Sequence, residues 1–125
     1  MIRSNTTDLL HCLNSRHFHL LPLFLSPRAI KFNNTSITAA QYSAYLQALI
    51  STAPDMTFRL GQILIDAPNS RVACVLAIDG TPSGRSFRGH AVSAKAGKVR
   101  YFEQVSWRLD GQGRIEGVEI GRAHV

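Results

Sequence analysis

The sequence is poor in the features that mark disulfide-rich, membrane or secreted proteins. Only two of its 125 residues are cysteines, Cys12 and Cys74, and they form no Cys-x-x-Cys pair. Isolated cysteines of this kind predict free thiols in a reducing compartment. The longest apolar run, residues 20–25, is broken by Pro22 and is far too short to cross a bilayer, and no basic-then-apolar leader opens the chain. We therefore expect a cytoplasmic protein with no membrane partner.

Cofactor and metal motifs are also missing. There is no dinucleotide fingerprint, and the loop from Gly80 to Gly84 has the wrong spacing for a phosphate loop and lacks its Lys-Ser/Thr pair. His17 and His19 resemble a metal pair only superficially, because residues two apart point to nearly opposite sides of a helix. The sequence predicts a protein that works without a cofactor and without a metal.

Acidic residues are few, and the resulting charge raises the question of nucleic acid. Eight acids against fourteen lysines and arginines give a net charge of +6 and a pI near 10. Five of the basic residues cluster without an intervening acid: Arg85, Arg88, Lys95, Lys98 and Arg100. Phe87 is the one aromatic residue among them, and no known nucleic-acid module underlies the run. We interpret it as a solvated loop and expect no nucleic-acid partner.

What is present predicts one globular α+β domain over residues 1–125, since 45% of the residues are hydrophobic and 18% are charged. Helical patterns cover about residues 5–15, 18–25 and 38–53, and strand patterns cover 28–33, 56–66, 71–78, 98–109 and 114–123. Asn5 is a candidate N-cap for the first helix, and Pro22 fits the second helix only in its first turn. Thr38 and Gln41 form a capping box that starts the third helix.

The C-terminal hairpin carries the candidate chemistry. On its first strand, period-two alternation places Tyr101, Glu103, Val105 and Trp107 on one face, which is apolar apart from the single carboxylate. Burying that carboxylate without partners would cost several kcal/mol, so Glu103 either has partners or faces a cavity. Structural ion pairs also occur in protein cores, and that reading stays open.

The turn between the two strands decides what shares that face. A three-residue loop with Gly113 in the left-handed position of a bulge would pair Asp110 with Arg114. Counting back, Glu119 would then lie opposite Val105 and next to Glu103, with Gly117 and Gly121 opposite the bulky side chains over a hollow. A register slipped by one residue would instead turn Glu119 outward and bring Val118 and Ile120 inside.

In their order and spacing, several segments resemble the SnoaL-like polyketide cyclases of the NTF2-like superfamily over about residues 6–122. These segments are Leu13-Asn14-Ser15-Arg16, Ala53-Pro54-Asp55-Met56-Thr57-Phe58, Gly80-Thr81-Pro82-Ser83-Gly84, Phe87-Arg88-Gly89-His90, Val99-Arg100-Tyr101-Phe102-Glu103 and Asp110-Gly111-Gln112-Gly113-Arg114-Ile115. The resemblance implies a cone of curved antiparallel sheet packed against three N-terminal helices, an interior pocket and a homodimer. It does not choose a reaction, because this fold supports several activities.

Two departures from the family pattern limit what the resemblance implies. The acid–base aspartate of the cyclases corresponds to a position near Ala123, so Glu119 is the nearest replacement. The base of the ketosteroid isomerases, which are similar in fold, corresponds to about Asn33. Neither standard mechanism carries over residue by residue.

We therefore expect a cofactor-free acid–base enzyme of secondary metabolism that cyclises or isomerises a hydrophobic polyketide- or terpenoid-type carbonyl compound. Dehydration and epoxide opening are further options, and a non-catalytic small-molecule-binding or dimerisation domain is the alternative. Two carboxylates in one dry pocket would divide the roles of acid and base, with Tyr101 as donor to an oxyanion and His90 as proton shuttle. The predicted catalytic residues are Glu119, Glu103, Tyr101 and His90, and the predicted pocket lining is Trp107, Val105, Tyr42, Leu76 and Phe58.

Overall fold

Two α-helices and a six-stranded sheet form the main body of the chain in the computed structural model, which describes residues 2–82, 86–87, 90–91 and 97–122. Side chains are described for residues 5–82 and 97–121. The helices are α1 (Ile2–Asn14), a 3₁₀ helix (Phe18–Phe24), α2 (Ala39–Ser51) and a 3₁₀ turn (Ala67–Asn69). The strands are β1 (Ile30–Phe32), β2 (Thr35–Ile37), β3 (Thr57–Asp66), β4 (Arg71–Gly80), β5 (Ser86–Phe87), β6 (His90–Ala91), β7 (Val99–Leu109) and β8 (Ile115–Arg122).

The first two helices differ from the sequence prediction at their starts. Helix α1 begins at Ile2, so Asn5 lies inside the helix and is not its N-cap. Pro22 is the fifth residue of the 3₁₀ helix and not part of its first turn. Asn14, the last residue of α1, fastens the helix to β3: its Nδ2 donates to the Phe58 carbonyl at 2.9 Å, and its Oδ1 accepts from the Phe58 N–H at 2.7 Å.

The capping box at the start of α2 is confirmed. The Gln41 N–H donates to Oγ1 of Thr38 at 3.1 Å, and the Thr38 N–H donates to Oε1 of Gln41 at 2.8 Å. These bonds satisfy two amide groups that the first turn of a helix leaves without an internal partner. They also set where the apolar face of α2 begins, and Tyr42, Leu46 and Ile50 are buried along that face.

The main sheet has the strand order β2-β1-β8-β7-β4-β3. It is mixed and not wholly antiparallel as predicted, because β1 runs parallel to β8. In the β1–β2 hairpin, the sequence pattern predicted the first strand, within residues 28–33, but not β2. The turn of this hairpin is Asn33-Asn34, where both residues have positive φ, which asparagine tolerates better than most residues. On β3 the register shifts between Leu60 and Gln62, and this bulge bends the sheet.

The core lies between the inner face of this sheet and the helices. Helix α1 contributes Leu9, Leu10 and Leu13, and β4 contributes the inner row Val72, Cys74, Leu76 and Ile78. The opposite sheet face carries the alternate residues of the same strands and has no helix packed on it within the described part of the chain. The fold is thus the predicted α+β arrangement, with one covered and one open sheet face.

Candidate functional site

Glu103 occupies the middle of the inner face of the sheet. It stands on β7 opposite Leu76 of β4 and opposite the backbone of Arg122 on β8. Its residue surface is only 6% exposed, whereas Gln104, the next residue, is exposed on the other face. The alternation of β7 places this carboxylate inward because Val105, Trp107 and Leu109 on the same face are buried in the core.

A small cavity lies beside Glu103. Glu103 and the five residues predicted to line a pocket surround it together: Tyr42, Phe58, Leu76, Val105 and Trp107. Leucines of α1 and α2 complete its walls, and its volume is about 30 Å³. A space of this size admits at least one water molecule. The five residues predicted to line an interior pocket therefore meet at one cavity with Glu103.

The turn of the hairpin forms as predicted. The Asp110 N–H donates to the Arg114 carbonyl at 2.7 Å, Gly113 has a φ of 80°, and Leu109 pairs with Ile115. The Asp110 carboxylate also accepts from the N–H groups of Gln112 at 2.8 Å and Arg114 at 2.9 Å. These contacts are local, which explains why the turn residues alone indicate them.

One residue beyond the turn, the predicted register is wrong. Leu109 pairs with Ile115 but Arg108 pairs with Gly117, so Glu116 is an extra residue on β8. This bulge shifts every following pair by one, and Ser106 lies opposite Glu119 while Trp107 lies opposite Val118. Glu119 is consequently exposed on the outer face. The two carboxylates do not share a pocket.

Burial explains the choice of register. The observed pairing buries Val118, which is 1% exposed, and half-buries Ile120, while the predicted one would bury Glu119 in their place. Full burial of a valine or isoleucine side chain contributes about 1.5–3 kcal/mol, whereas an unpaired carboxylate in the core costs several. Asn33 holds the same register, since its N–H donates to the Val118 carbonyl and its Oδ1 accepts from the Ile120 N–H, each at 2.9 Å.

The shifted register also changes the role of the hairpin glycines, which were predicted to line an inner hollow. Gly117 lies opposite Arg108 on the outer face, and a Cβ there would stand 3.2 Å from the Arg108 Cβ. Gly121 likewise lies opposite the exposed Gln104. Glycine at these positions makes room for outer side chains and does not open the interior.

Glu119 instead borders an open groove of about 680 Å³ on the outer sheet face. Small and apolar residues form its floor, with Ala73 and Val75 of β4 at the centre, and amide side chains form much of its rim. Leu64 at its edge is 75% exposed. This groove, and not the interior, is the larger concave space among the described residues.

The described residues do not bring Tyr101 and His90, the other two predicted catalytic residues, to the cavity beside Glu103. Tyr101 is half-buried on the inner face of β7 opposite Ile78, and it is not among the residues that line the cavity. The backbone of His90 pairs with Phe87, but its side chain lies outside the described residues. Arg85, Arg88 and Lys95 of the basic run lie outside the described residues altogether.

A second polar feature, which the sequence interpretation missed, links the sheet to α2 inside the core. Nε1 of Trp107 donates to the Tyr42 hydroxyl at 3.5 Å. Both side chains are buried, at 4% and 3% exposure, and both line the cavity beside Glu103. Periodicity alone could place each residue in the core, but not the contact between two residues 65 positions apart.

The described carboxylates with shifted pKa values, Asp55, Asp79 and Asp110, do not line the cavity beside Glu103. Arg100 donates to both carboxylate oxygens of Asp79, at 2.6 and 3.0 Å, and these bonds together with the nearby charges of Arg100 and Arg59 lower the pKa of Asp79. The N–H and hydroxyl groups of Thr81 donate to Asp55 and lower its pKa. Alternation on β4 and β7 placed Asp79 and Arg100 on the outer face, and this signal was available in the sequence.

The two cysteines do not supply a nucleophile in this structure. Cys74 is buried on β4, and burial raises the pKa of its thiol to about 12, so the thiol stays protonated at neutral pH. Cys12 is also buried, its Sγ donates to the His17 carbonyl at 2.9 Å, and burial raises its pKa. Both residues act as packing groups.

Within the described residues, no helix is long and apolar enough to cross a membrane. Over the same part of the chain, no group of three or more His, Cys, Asp or Glu side chains is arranged to hold a metal ion.

Comparison with known proteins identifies the fold. No protein-family model matches the sequence, and no curated protein matches it significantly. Among solved structures, a SnoaL-like polyketide cyclase from Agrobacterium tumefaciens superposes with a TM-score of 0.85 at 22% identity, covering 98% of this chain and 91% of that one. IdmH from Streptomyces antibioticus, named as a proposed polyketide cyclase, gives 0.76 at 17% identity, with 97% and 91% covered. An NTF2-like protein of unknown function from Exiguobacterium gives 0.72 at 11% identity, with 97% and 99% covered.

At these identities the comparison shows the fold and no more. The chain has the SnoaL-like, NTF2-like fold that the sequence resemblance implied.

Proposed function

We propose that the chain is a cofactor-free acid–base enzyme, with Glu103 as its base. The observation that carries this proposal is the burial of Glu103, at 6% exposure, among apolar and aromatic side chains beside a small cavity. Keeping a carboxylate in such surroundings costs stability that an apolar residue would not cost. A general base must lie within hydrogen-bond reach of the proton it removes, and Glu103 lines the cavity in which the reacting carbon would have to lie.

One carboxylate is sufficient for the chemistry that we propose. Glu103 would take a proton from the carbon next to a carbonyl group, and the C–H electron pair would move to form an enolate. In an isomerisation, the protonated Glu103 returns the proton to another carbon. In a ring closure, the enolate carbon attacks a second carbonyl, and the proton goes to the alkoxide formed there. The likeness to a structure named as a SnoaL-like polyketide cyclase supports this class of reaction for a hydrophobic carbonyl substrate, and we expect it to act in the cytoplasm.

Hydrogen exchange at carbon tests the proposal without knowledge of the natural substrate. A panel of hydrophobic ketones and β-keto esters is incubated with the protein in D₂O, and deuterium next to the carbonyl is measured by NMR. Glu103→Gln should slow the exchange by at least about a hundredfold. Glu119→Gln is the matched control, because it makes the same chemical change on the outer face and should leave the rate unchanged. Equal rates in the two variants and the wild type would remove the assignment.

The second candidate is a domain that dimerises, and the open outer face favours it. Exposed apolar side chains stand on that face, with Leu64 at 75% exposure and Phe102 at 42%. The same face carries charges of both signs near the groove: the basic residues Arg71 and Arg108, and the acidic residues Asp66 and Glu119. A face with both signs of charge and a small-residue floor can pair with its own copy across a two-fold axis.

We propose that a second copy of the chain covers this face. Sedimentation measurements over a range of protein concentrations test the proposal, with Val75→Glu placing a charge on the groove floor. The variant should dissociate at concentrations where the wild type is a dimer, while its circular dichroism stays the same. A wild type that is monomeric at every concentration would rule out the dimer.

A further inference from the structure

His17 and His19 were set aside as metal ligands because residues two apart point to nearly opposite sides of a helix. In the structure His17 precedes the 3₁₀ helix, with φ −85° and ψ 60°, and only His19 lies within it. The two imidazole rings come together, with their centroids 5.8 Å apart and their planes at 52°. The reason for excluding the pair therefore does not hold in this fold.

The backbone of His17 is held by three hydrogen bonds. Its N–H donates to the Cys12 carbonyl at 3.0 Å, and its carbonyl accepts from the Leu20 N–H at 3.0 Å. The same carbonyl accepts from Sγ of Cys12 at 2.9 Å, so this thiol serves the backbone of the pair. Of His17, only the side chain is left to meet a ligand.

The residue before the pair fastens the link between α1 and the 3₁₀ helix to the rest of the fold. Arg16 has a positive φ of 60°, which a residue other than glycine keeps only where its surroundings hold it. Its guanidinium donates to the carbonyls of Leu13, Pro54 and Met56 at 2.6–2.9 Å. The two histidines thus stand on a segment that is tied both to the end of α1 and to the residues that lead into β3.

The separation of the rings fits one metal ion between them. A metal bound to a ring nitrogen at about 2.0–2.1 Å lies about 3.2 Å from the ring centroid. Two rings on one ion then have centroids about 4.5–6.4 Å apart, for angles at the metal of about 90° to about 180°. The observed 5.8 Å falls inside this range. Both residues are exposed, so their rings can turn toward an ion without movement of the backbone.

The available ligands select the kind of metal. Within the described part of the chain, no hydrogen bond or ion pair occupies either imidazole, and no third His, Cys, Asp or Glu side chain joins the pair. The four protein ligands typical of a structural zinc site are therefore not offered by these residues. Two imidazoles with the other positions left to water suit copper(II), which binds nitrogen ligands more strongly than the other divalent first-row metals do.

We propose that His17 and His19 together bind one copper(II) ion at the surface, on the link between α1 and the 3₁₀ helix. Neither histidine lines the cavity beside Glu103. This site is therefore separate from the proposed active site and does not depend on the proposed function.

Titration of the full chain with Cu²⁺ tests the site, with calorimetry for affinity and electron paramagnetic resonance for the ligands. The spectrum of the wild type should show coupling to two imidazole nitrogens. His17→Ala and His19→Ala should each weaken binding by about a hundredfold, because the second ring acts on an ion that the first already holds. Glutamine at either position should give the same loss, and circular dichroism should not change, since both side chains are exposed.

His11→Ala is the matched control, because it removes another exposed imidazole from the neighbouring helix. It should leave the Cu²⁺ affinity within about twofold of the wild type, and Zn²⁺ should bind the wild type more weakly than Cu²⁺ does. Loss of affinity in only one of the two variants, an equal loss in the His11 variant, or coupling to a single nitrogen would overturn the proposal. A wild type that does not bind Cu²⁺, or that binds Zn²⁺ more tightly, would overturn it as well.

Discussion

The register of the C-terminal hairpin decides which acid lies inside, and paired alanine substitutions at Val118 and Glu119 test it. In the structure Val118 is 1% exposed and Glu119 is exposed. Val118→Ala removes two buried carbon atoms, worth about 0.8 kcal/mol each, and leaves a small cavity, so it should lower the free energy of unfolding by about 2 kcal/mol. Glu119→Ala changes a surface side chain and should have an effect within about 0.5 kcal/mol.

Urea unfolding followed by fluorescence is the appropriate assay. Trp107 is the single tryptophan of the chain and is 4% exposed, so its emission reports exposure of the core at the site itself. With a urea dependence of about 2 kcal/mol per molar, Val118→Ala should lower the midpoint by about 1 M. Protein concentration must be equal in all samples, because dimerisation would add to the apparent stability.

The alternative register gives the opposite order. There Glu119 would face the core and Val118 would face solvent, so Glu119→Ala would change the midpoint strongly, in either direction, and Val118→Ala would change it little. Observing that order would refute the bulge at Glu116 and, with it, the placement of Glu119 on the outer face, away from Glu103.

Three further outcomes are expected from urea unfolding. Asn14→Ala should cost about 2–3 kcal/mol, because the Phe58 N–H and carbonyl both lose their partner; an effect below about 0.5 kcal/mol would contradict this. Thr38→Ala should cost about 1 kcal/mol and Thr38→Ser much less, since serine keeps the capping hydroxyl; equal losses would contradict the cap. Arg100 lowers the pKa of Asp79 in the folded state. The Asp79–Arg100 pair therefore stabilises the fold above the pKa that Asp79 has in the unfolded chain, and this stabilisation is lost as pH falls through the lower pKa of Asp79 in the folded state. Asp79→Asn should therefore flatten the loss of stability measured between about pH 5 and pH 2, and an unchanged acid limb would argue against the pair.

Much of the fold could be predicted because its signals are local. The capping box of Thr38 and Gln41 and the turn at Asp110 to Gly113 depend on hydrogen bonds within a few residues, and both form as expected. The alternation on β7 likewise placed Glu103 inward, because the side-chain period of a strand does not depend on its neighbours. The asparagine turn before β2 carried a comparable signal that the interpretation did not use.

The candidate site depended on contacts that no local pattern encodes. The bulge at Glu116 forms because burying Val118 and Ile120 stabilises the core more than burying Glu119 would. The burial of these side chains is decided only when β8 pairs between β7 and β1. Local patterns were thus enough to predict the order of elements, the turn and the inward position of Glu103. The position of Glu119 away from Glu103, and the place of Tyr42 beside Trp107 and the cavity, depend on how the strands and α2 pack together. Hydrogen bonds in a turn and the side-chain period of a strand act within one segment, whereas strand register depends on all the surfaces that become buried in the core.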